Sequence, residues 1–380
     1  MTILKNGLIH DMIRKEPYQA DILVKDGKIR TIGTALPADE DVIDCAGADI
    51  YPGFVEAHAH LGLDGYGIGF EGSDYNEMGD ICTPQMRAID SFNPFDPTVK
   101  KAALGGITTV ATGQGSSNAI GGTWIAVKTH GICVDDMVIK DPVAMKCALG
   151  ENPKRCYRDK GNFARMSTAA VIRNMVMKTR DYMARKAVAE GNPARMPAFD
   201  FKCEAMIPVL EKKIPLKVHA HQANDILTAI RLAREFDLKL TLEHVTEGHL
   251  IADKLAEYKE YPMAVGPSLT HASKFELQNK SWTTPGILAA KGCSVSIITD
   301  SPVIPQEYLP LCAGLAVKAG MDPFEALKAI TINAAKHIGV ADRIGSIEEG
   351  KDADLVLWDG SPLYSESLVR LVMIDGEIIR

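Results

Sequence analysis

Hydrophobic and polar positions follow two different rhythms along the chain. Residues 1–50 carry short alternating runs, TILKNGLIHD and then ADILVKDGKIRTIG, with Asp26-Gly27 between two of them as a hairpin signal. From Gly345 on the same texture returns in GSIEEGKDADLVLWDGSPL and LVRLVMIDGEIIR, where Asp375-Gly376 is again a turn between apolar strands. Neither end buries much apolar area alone, so the termini, 1–50 and 345–380, are expected to pair into one small β-sandwich domain. Residues 51–344 instead alternate short, nearly continuous apolar runs with helical patterns, the signature of buried parallel strands and crossover helices.

Eight strands are expected in that middle region: Gly53–Ala57, Thr108–Thr112, Trp124–Lys128, Val143–Leu149, Leu216–Ala220, Lys239–His244, Met263–Val265 and Ser294–Thr299. Helix starts stand at Asp96-Pro97, Asn224-Asp225, Thr284-Pro285 and Asp322-Pro323. Eight strand–helix units predict an α/β fold of the (β/α)8 TIM-barrel type. The long connection of about 150–214 predicts a helical insertion, in STAAVIRNMVMKTRDYMARKAVAEG and DFKCEAMIPVLEKK, rather than a bare loop. Its methionines 175, 177 and 183 are expected to fill a helix core before lining a substrate mouth.

Composition narrows the function classes. Of 380 residues 46% are hydrophobic and 24% charged, which fits a folded protein and not a disordered one. No apolar run approaches the ~18 residues of a spanning helix, and MTILKNGLIH lacks a signal pattern, so a cytoplasmic protein without membrane contact is expected. Net charge is −7, and no basic run could track phosphates, which argues against nucleic acid as a partner. Eight scattered cysteines with no C-x-x-C pair predict reduced, mostly buried thiols. A small-molecule substrate is the expected partner, and a homo-oligomer is left open.

Candidate chemistry sits where strands end, because in such a barrel the carboxyl ends of the strands open on the active-site mouth. The first strand ends in Glu56-Ala57-His58-Ala59-His60, and residues two apart on an extended chain share a face, so His58 and His60 can grip one ion together. Strand five ends in Val218-His219-Ala220-His221, strand six in Glu243-His244, and strand eight runs into Asp300. An apolar strand that ends in a carboxylate buries an unpaired charge unless a cation or catalytic water is beside it. His271 follows strand seven. Imidazole nitrogens with carboxylate oxygens suit Zn²⁺, with Mn²⁺ or Fe²⁺ as alternatives.

Rival motifs fail on context. Gly67-Ile68-Gly69-Phe70-Glu71-Gly72 matches G-x-G-x-x-G but opens no amphipathic helix, so it is not a dinucleotide fingerprint. The stretch His244-Val245-Thr246-Glu247-Gly248-His249 nears an inverted zinc-protease signature, but Gly248 stands where histidine is required. His249 and His130 read as ordinary helix or loop residues.

The H-x-H after an apolar strand, single histidines on the next ligand strands and the strand-eight Asp300 resemble the amidohydrolase superfamily of metal-dependent hydrolases. YPGFVEAHAHLG resembles its barrel entry, and Thr331-Ile332-Asn333-Ala334-Ala335-Lys336 followed by GSIEEGKDADLVLWDGSP its closing helix and return. The likeness spans nearly the whole chain and leans toward the imidazolonepropionase and prolidase-like branch. It implies that His58 and His60 bind a buried ion, His219 and His244 a more exposed one, and that Asp300 binds the buried ion and moves the proton. It further implies, for binuclear members, a carboxylated lysine bridging the ions: Lys146 in strand four is favoured over Lys128 at the end of TWIAVK, because strand four supplies this ligand in the family. With neither modified, one ion remains. His221 is a ligand, a substrate-orienting donor or a solvated residue, while His271, Lys154 and Arg155 are candidate substrate contacts.

The activity implied is hydrolysis of an amide or cyclic amide C–N bond in a small molecule or dipeptide, by water activated on the ions with Asp300 as proton shuttle. A deaminase releasing ammonia from a heterocycle keeps the same residues. A non-catalytic scaffold of dihydropyrimidinase-like type is the alternative of another class, and it sits poorly with a retained ligand set.

Overall fold

Both terminal hairpin signals are realised in the computed structural model, which describes residues 1–37, 41–66 and 68–380. Asp26 and Gly27 have φ of 51° and 72°, and Asp375 and Gly376 have 48° and 80°, the paired left-handed conformation of a tight two-residue hairpin. The terminal strands form one eight-stranded sheet, in which Asp49–Pro52 from the N-terminal side pairs antiparallel with Leu355–Asp359 from the C-terminal side. Leu4, Ile22, Ile50, Leu355 and Met373 meet in a core of this sheet's own. Residues 38–40 of this region, and Gly67 of the rejected glycine motif, lie outside the described residues.

The middle of the chain builds a second eight-stranded sheet, nearly closed into a barrel. Its strands are β1 (Phe54–Ala59), β2 (Ile107–Thr112), β3 (Ile120–Lys128), β4 (Val138–Ala148), β5 (Leu216–Ala220), β6 (Leu240–His244), β7 (Met263–Val265) and β8 (Val295–Ile297), paired in that order. Where β8 returns beside β1, the Glu56 carboxylate spans the seam by accepting from the Thr299 backbone N–H at 2.9 Å and its hydroxyl at 2.7 Å. All eight expected strands exist, but they are not eight parallel strand–helix units. Strand β3 runs antiparallel to both β2 and β4. The reason is chain length: seven residues join Thr112 to Ile120, too few for the dozen or more that a parallel crossover needs.

Helices cover the remaining strands. Asp96 and Asp322 cap Pro97–Leu104 and Pro323–Ala329, each carboxylate accepting first-turn N–H groups. Ala223–Phe236 follows β5, its apolar side Ile226, Ala229, Ile230 and Ala233 buried at helical spacing. The expected insertion is helical, with Glu151–Cys156, Arg165–Ala189 and Phe201–Leu210. Met175 fills its core as expected, whereas Met177 is exposed. All eight cysteines are free and five are buried. Among the described residues no helix is long and apolar enough to cross a membrane.

Candidate metal centre

The carboxyl ends of β1, β5 and β6 and Asp300, three residues beyond β8, converge. His58, His60 and Asp300 form one triad and His219, His221 and His244 a second, the ligand-capable atoms of each lying within 4.8 Å of one another. The two triads touch, since the His58 and His244 rings are 4.8 Å apart by centroid. Backbone conformation contributes to the convergence. His244, Val245 and Asp300 have φ of 73°, 42° and 54°, a region that costs a non-glycine residue free energy and is most costly for the β-branched valine. Such a conformation persists only where the surroundings impose it. Here the Val245 N–H donates to Ala220 O at 3.2 Å and the His244 carbonyl accepts from Gly266 N at 3.3 Å.

Each imidazole is oriented by an acceptor on its far nitrogen. His58 Nδ1 donates to Glu243 Oε2 at 2.8 Å, His60 Nδ1 to Gly113 O at 2.7 Å and His244 Nδ1 to Gly266 O at 2.9 Å. His219 is reversed, with Nε2 3.3 Å from Glu276 Oε1. These partners fix the tautomers and leave a lone pair on the opposite nitrogen, the arrangement by which second-sphere groups aim histidine at a metal. His221 Nδ1 lies 2.7 Å from Thr246 Oγ1, and its ring stacks on His244 at 4.5 Å. Burial pushes His58, His219 and His221 well below the usual histidine range and His244 down to about 4. All four are therefore neutral imidazoles at pH 7.

Three of the opposed atoms have no hydrogen-bond partner although buried: His219 Nδ1, His244 Nε2 and Asp300 Oδ1. Asp300 Oδ1 is 3.4 Å from His60 Nε2 and 3.7 Å from His58 Nε2. Burial opposes its charge, but the neighbouring His244 and His60 rings hold the carboxyl below its ordinary value. Buried acceptors left unpaired cost free energy, and borderline divalent cations accept this donor set of imidazole nitrogen and carboxylate oxygen. The residues present fit a metal site.

Lys146, on β4, is fully buried, with Nζ 3.1 Å from His58 Nε2 and 4.9 Å from the Trp124 ring centroid. Burial pulls its amine down to about 7; Glu243 opposes this and Lys217 adds to it. The competing Lys128 is placed elsewhere. Because β3 is antiparallel, its carboxyl end is at the opposite rim of the barrel, where Lys128 Nζ meets Asp354 at 2.7 Å, Asp375 at 3.0 Å and Asp352 at 3.1 Å. Strand direction therefore removes Lys128 as a bridging ligand.

The remaining candidates are distributed unevenly. His271 is exposed in the segment after β7, and Arg155 is exposed with its guanidinium 3.4 Å from Asn152 Oδ1. Lys154 is half-buried on the neighbouring turn. Lys274, which is not among those candidates, does reach the partner of the second triad, its Nζ 2.6 Å from Glu276 Oε1. His130 and His249 stay outside, beside Glu377 and Thr284.

Sequence reasoning missed the supporting acids and bases. Glu243, fully buried, accepts from His58 and Lys217, each at 2.8 Å, on one oxygen, and from Thr241 at 2.7 Å and His337 at 2.8 Å on the other. Burial opposes its ionisation, yet Lys217 and His337 hold it well below the carboxylate range. Glu276 serves the second triad in the same way. A signal for Glu243 was present, since it immediately precedes His244 within an apolar strand, but alternation alone points it away from its neighbour. Nothing local marks Glu276.

Comparison with known proteins agrees with this geometry. The amidohydrolase family profile matches residues 50–379. An amidohydrolase from Thermotoga maritima MSB8 of known structure superposes with a TM-score of 0.96 at 41% identity, covering 100% of both chains. Imidazolonepropionase from Thermoplasma acidophilum is 25% identical across 94% of this chain and 88% of its own, which bears out the expected leaning toward that branch. Amidohydrolase tasK from Hapsidospora irregularis is 28% identical across 94% of this chain, which spans only 40% of that protein's length. By the profile match over most of its length and its likeness to the Thermotoga protein, the chain belongs to the amidohydrolase family.

Proposed function

We propose that this amidohydrolase, a hydrolase acting on carbon–nitrogen bonds, cleaves an amide or cyclic amide of a small molecule at a two-ion centre. The observation that carries the reading is the set of partnerless buried atoms, His219 Nδ1, His244 Nε2 and Asp300 Oδ1, brought together from three strand ends. His58, His60 and Asp300 would hold one ion and His219 and His244 the other, with zinc the first choice and Mn²⁺ or Fe²⁺ alternatives. The placing of His221 inside the second triad favours a ligand role over a solvated one. Divalent ions bound there would supply an attacking water of near-neutral pKa and polarise the scissile carbonyl.

Lys146 lies beside His58 with its amine pulled toward neutrality. A neutral amine can take up CO₂, forming an N–C bond and releasing a proton, and the resulting carbamate would offer two oxygens where one ammonium would repel both ions. Asp300, ionised at neutral pH, accepts the proton of the attacking water and passes it to the leaving nitrogen. Glu243 and Glu276 keep the His58 and His219 rings turned so that their free nitrogens face inward. Lys274, paired with Glu276 beside the second triad, is a better candidate than the exposed Arg155 for meeting an anionic substrate.

Metal analysis of purified protein with a native-mass search for one added carboxyl group tests the site. About two ions per chain with a carboxylated lysine support the reading; one ion with an unmodified lysine favours a single-ion centre. Assaying cyclic amides, acyl dipeptides and amino-heterocycles, with ammonia measured in parallel, tests the reaction. Ammonia release from a heterocycle without amide cleavage would replace hydrolysis by deamination.

A further inference from the structure

At the barrel rim opposite the metal centre lies an open cavity of about 490 Å³, a volume within the range of small-ligand sites. Val143, Leu238, Leu240 and Ile338 give it apolar walls. Five lysines line it against the acids Asp237 and Glu260, with Glu211 beside Lys213, so positive charge predominates in a chain whose net charge is −7. Two of those lysines are already matched, Lys212 to Asp237 at 2.5 Å and Lys213 to Glu211 at 2.7 Å. Among the described residues Lys140, Lys239 and Lys336 have no carboxylate within ion-pair distance, although they come from β4, the approach to β6 and the closing helix Ile332–Ile338.

Lys140 is half-buried, and its Nζ donates to the carbonyls of Ile338 and Gly339 at 3.1 Å each, which orients the ammonium without neutralising it. Burial, and then the charge of Lys239, push its pKa below the ordinary value, with Asp342 opposing. Like charges gathered on one apolar wall cost free energy that a bound anion would recover.

A second observation is independent of the lysines. His337 lines the same cavity with its side chain 1% exposed, donates Nε2–H to Glu243 Oε1 at 2.8 Å, and leaves Nδ1 without a partner. With the proton on Nε2, Nδ1 can only accept, so a ligand that reaches it brings an O–H or N–H.

We propose that this cavity binds a small organic anion, its charged group held by Lys140, Lys239 and Lys336, its apolar body against the Val143–Leu240 wall and a hydroxyl or N–H directed to His337. The site opens at the other rim from the metal centre, touching it only through Glu243, which His337 and His58 share, and its anion binding does not depend on the reaction proposed there.

Calorimetric titration of the full-length protein with 4-hydroxybenzoate, benzoate and inorganic phosphate tests this. The expected result is saturable binding of 4-hydroxybenzoate with a Kd below about 1 mM at low salt, weaker binding of benzoate, and weakest binding of phosphate. The double variant Lys239→Glu/Lys336→Glu changes two exposed side chains, so its melting temperature should hold while binding weakens about tenfold or more. Binding should persist after a chelator has stripped the metal centre. Absence of saturable binding, indifference to the double reversal, or loss of binding on chelation would each overturn the proposal. Equal affinity for benzoate would remove the role given to His337, and phosphate binding as tightly as 4-hydroxybenzoate would refute an organic ligand.

Discussion

Lys128 and Lys146 lie on adjacent strands, both in apolar surroundings and both almost wholly buried, yet they face opposite ends of the barrel and opposite fates. Around Lys128 three aspartates supply counter-charge within 3.1 Å, and their attraction outweighs desolvation to raise its pKa. Around Lys146 the nearest polar atom is an imidazole nitrogen, and desolvation drives the amine down to about 7. A buried charge with matched partners holds structure together, tying β3 to the C-terminal strands. A buried amine lacking a direct carboxylate partner is free to change its protonation state or to be modified, as chemistry requires.

The largest expected effect falls on the unpartnered end. Asp300→Asn should lower turnover by about 10³-fold or more, with the melting temperature nearly unchanged; retained turnover would remove Asp300 from proton transfer. Exchanging the two lysines for methionine sharpens the contrast. Lys146→Met should abolish most activity and reduce bound metal without lowering stability. Lys128→Met should leave metal content and kcat intact while costing about 3–5 kcal/mol, because Asp354 remains buried without a cation, whereas Asp352 keeps Lys28 and Arg343. Equal losses of activity from both variants would erase the distinction.

A smaller effect is expected one step back from the ligands. Glu243→Gln, which weakens the acceptor that orients His58, should reduce metal affinity about 10–100-fold, measured by competition with a chelator. Titration offers a fourth test. The folded-state pKa of Lys146 is about 7 against an ordinary 10.5. Between those values the unfolded chain binds the proton that the folded chain lacks, so the metal-stripped protein should gain stability as pH rises through that window. Lys146→Met should flatten the rise; an unchanged slope would mean that Lys146 keeps its proton. The smallest effect belongs to neither end: Asp322→Ala removes a helix cap and should cost about 1 kcal/mol with kcat unchanged.

Much of this is legible in the sequence. Asp26-Gly27 and Asp375-Gly376 marked their turns because only a few residue pairs adopt two successive left-handed conformations cheaply. His58 and His60 were legible because the two-residue period of a strand puts them on one face. The antiparallel course of β3 was recoverable from the seven residues before it, but apolar runs carry no sign of direction. Lys128 stands in the sequence as a competitor to Lys146 for the same reason, since the end of a strand names a rim only once its direction is known.

The sequence by itself determined which residues could serve: imidazoles and an acid at the ends of apolar strands, in the order that marks an amidohydrolase. Only the tertiary structure decided which nitrogen of each ring faces inward, that Glu243 and Glu276 set those orientations, and that one buried lysine is matched while another is not. Hydrogen bonds such as His58–Glu243 join residues 185 positions apart. Local pattern registers periodicity along the chain, whereas the partner of a buried charge is fixed by closure of the barrel.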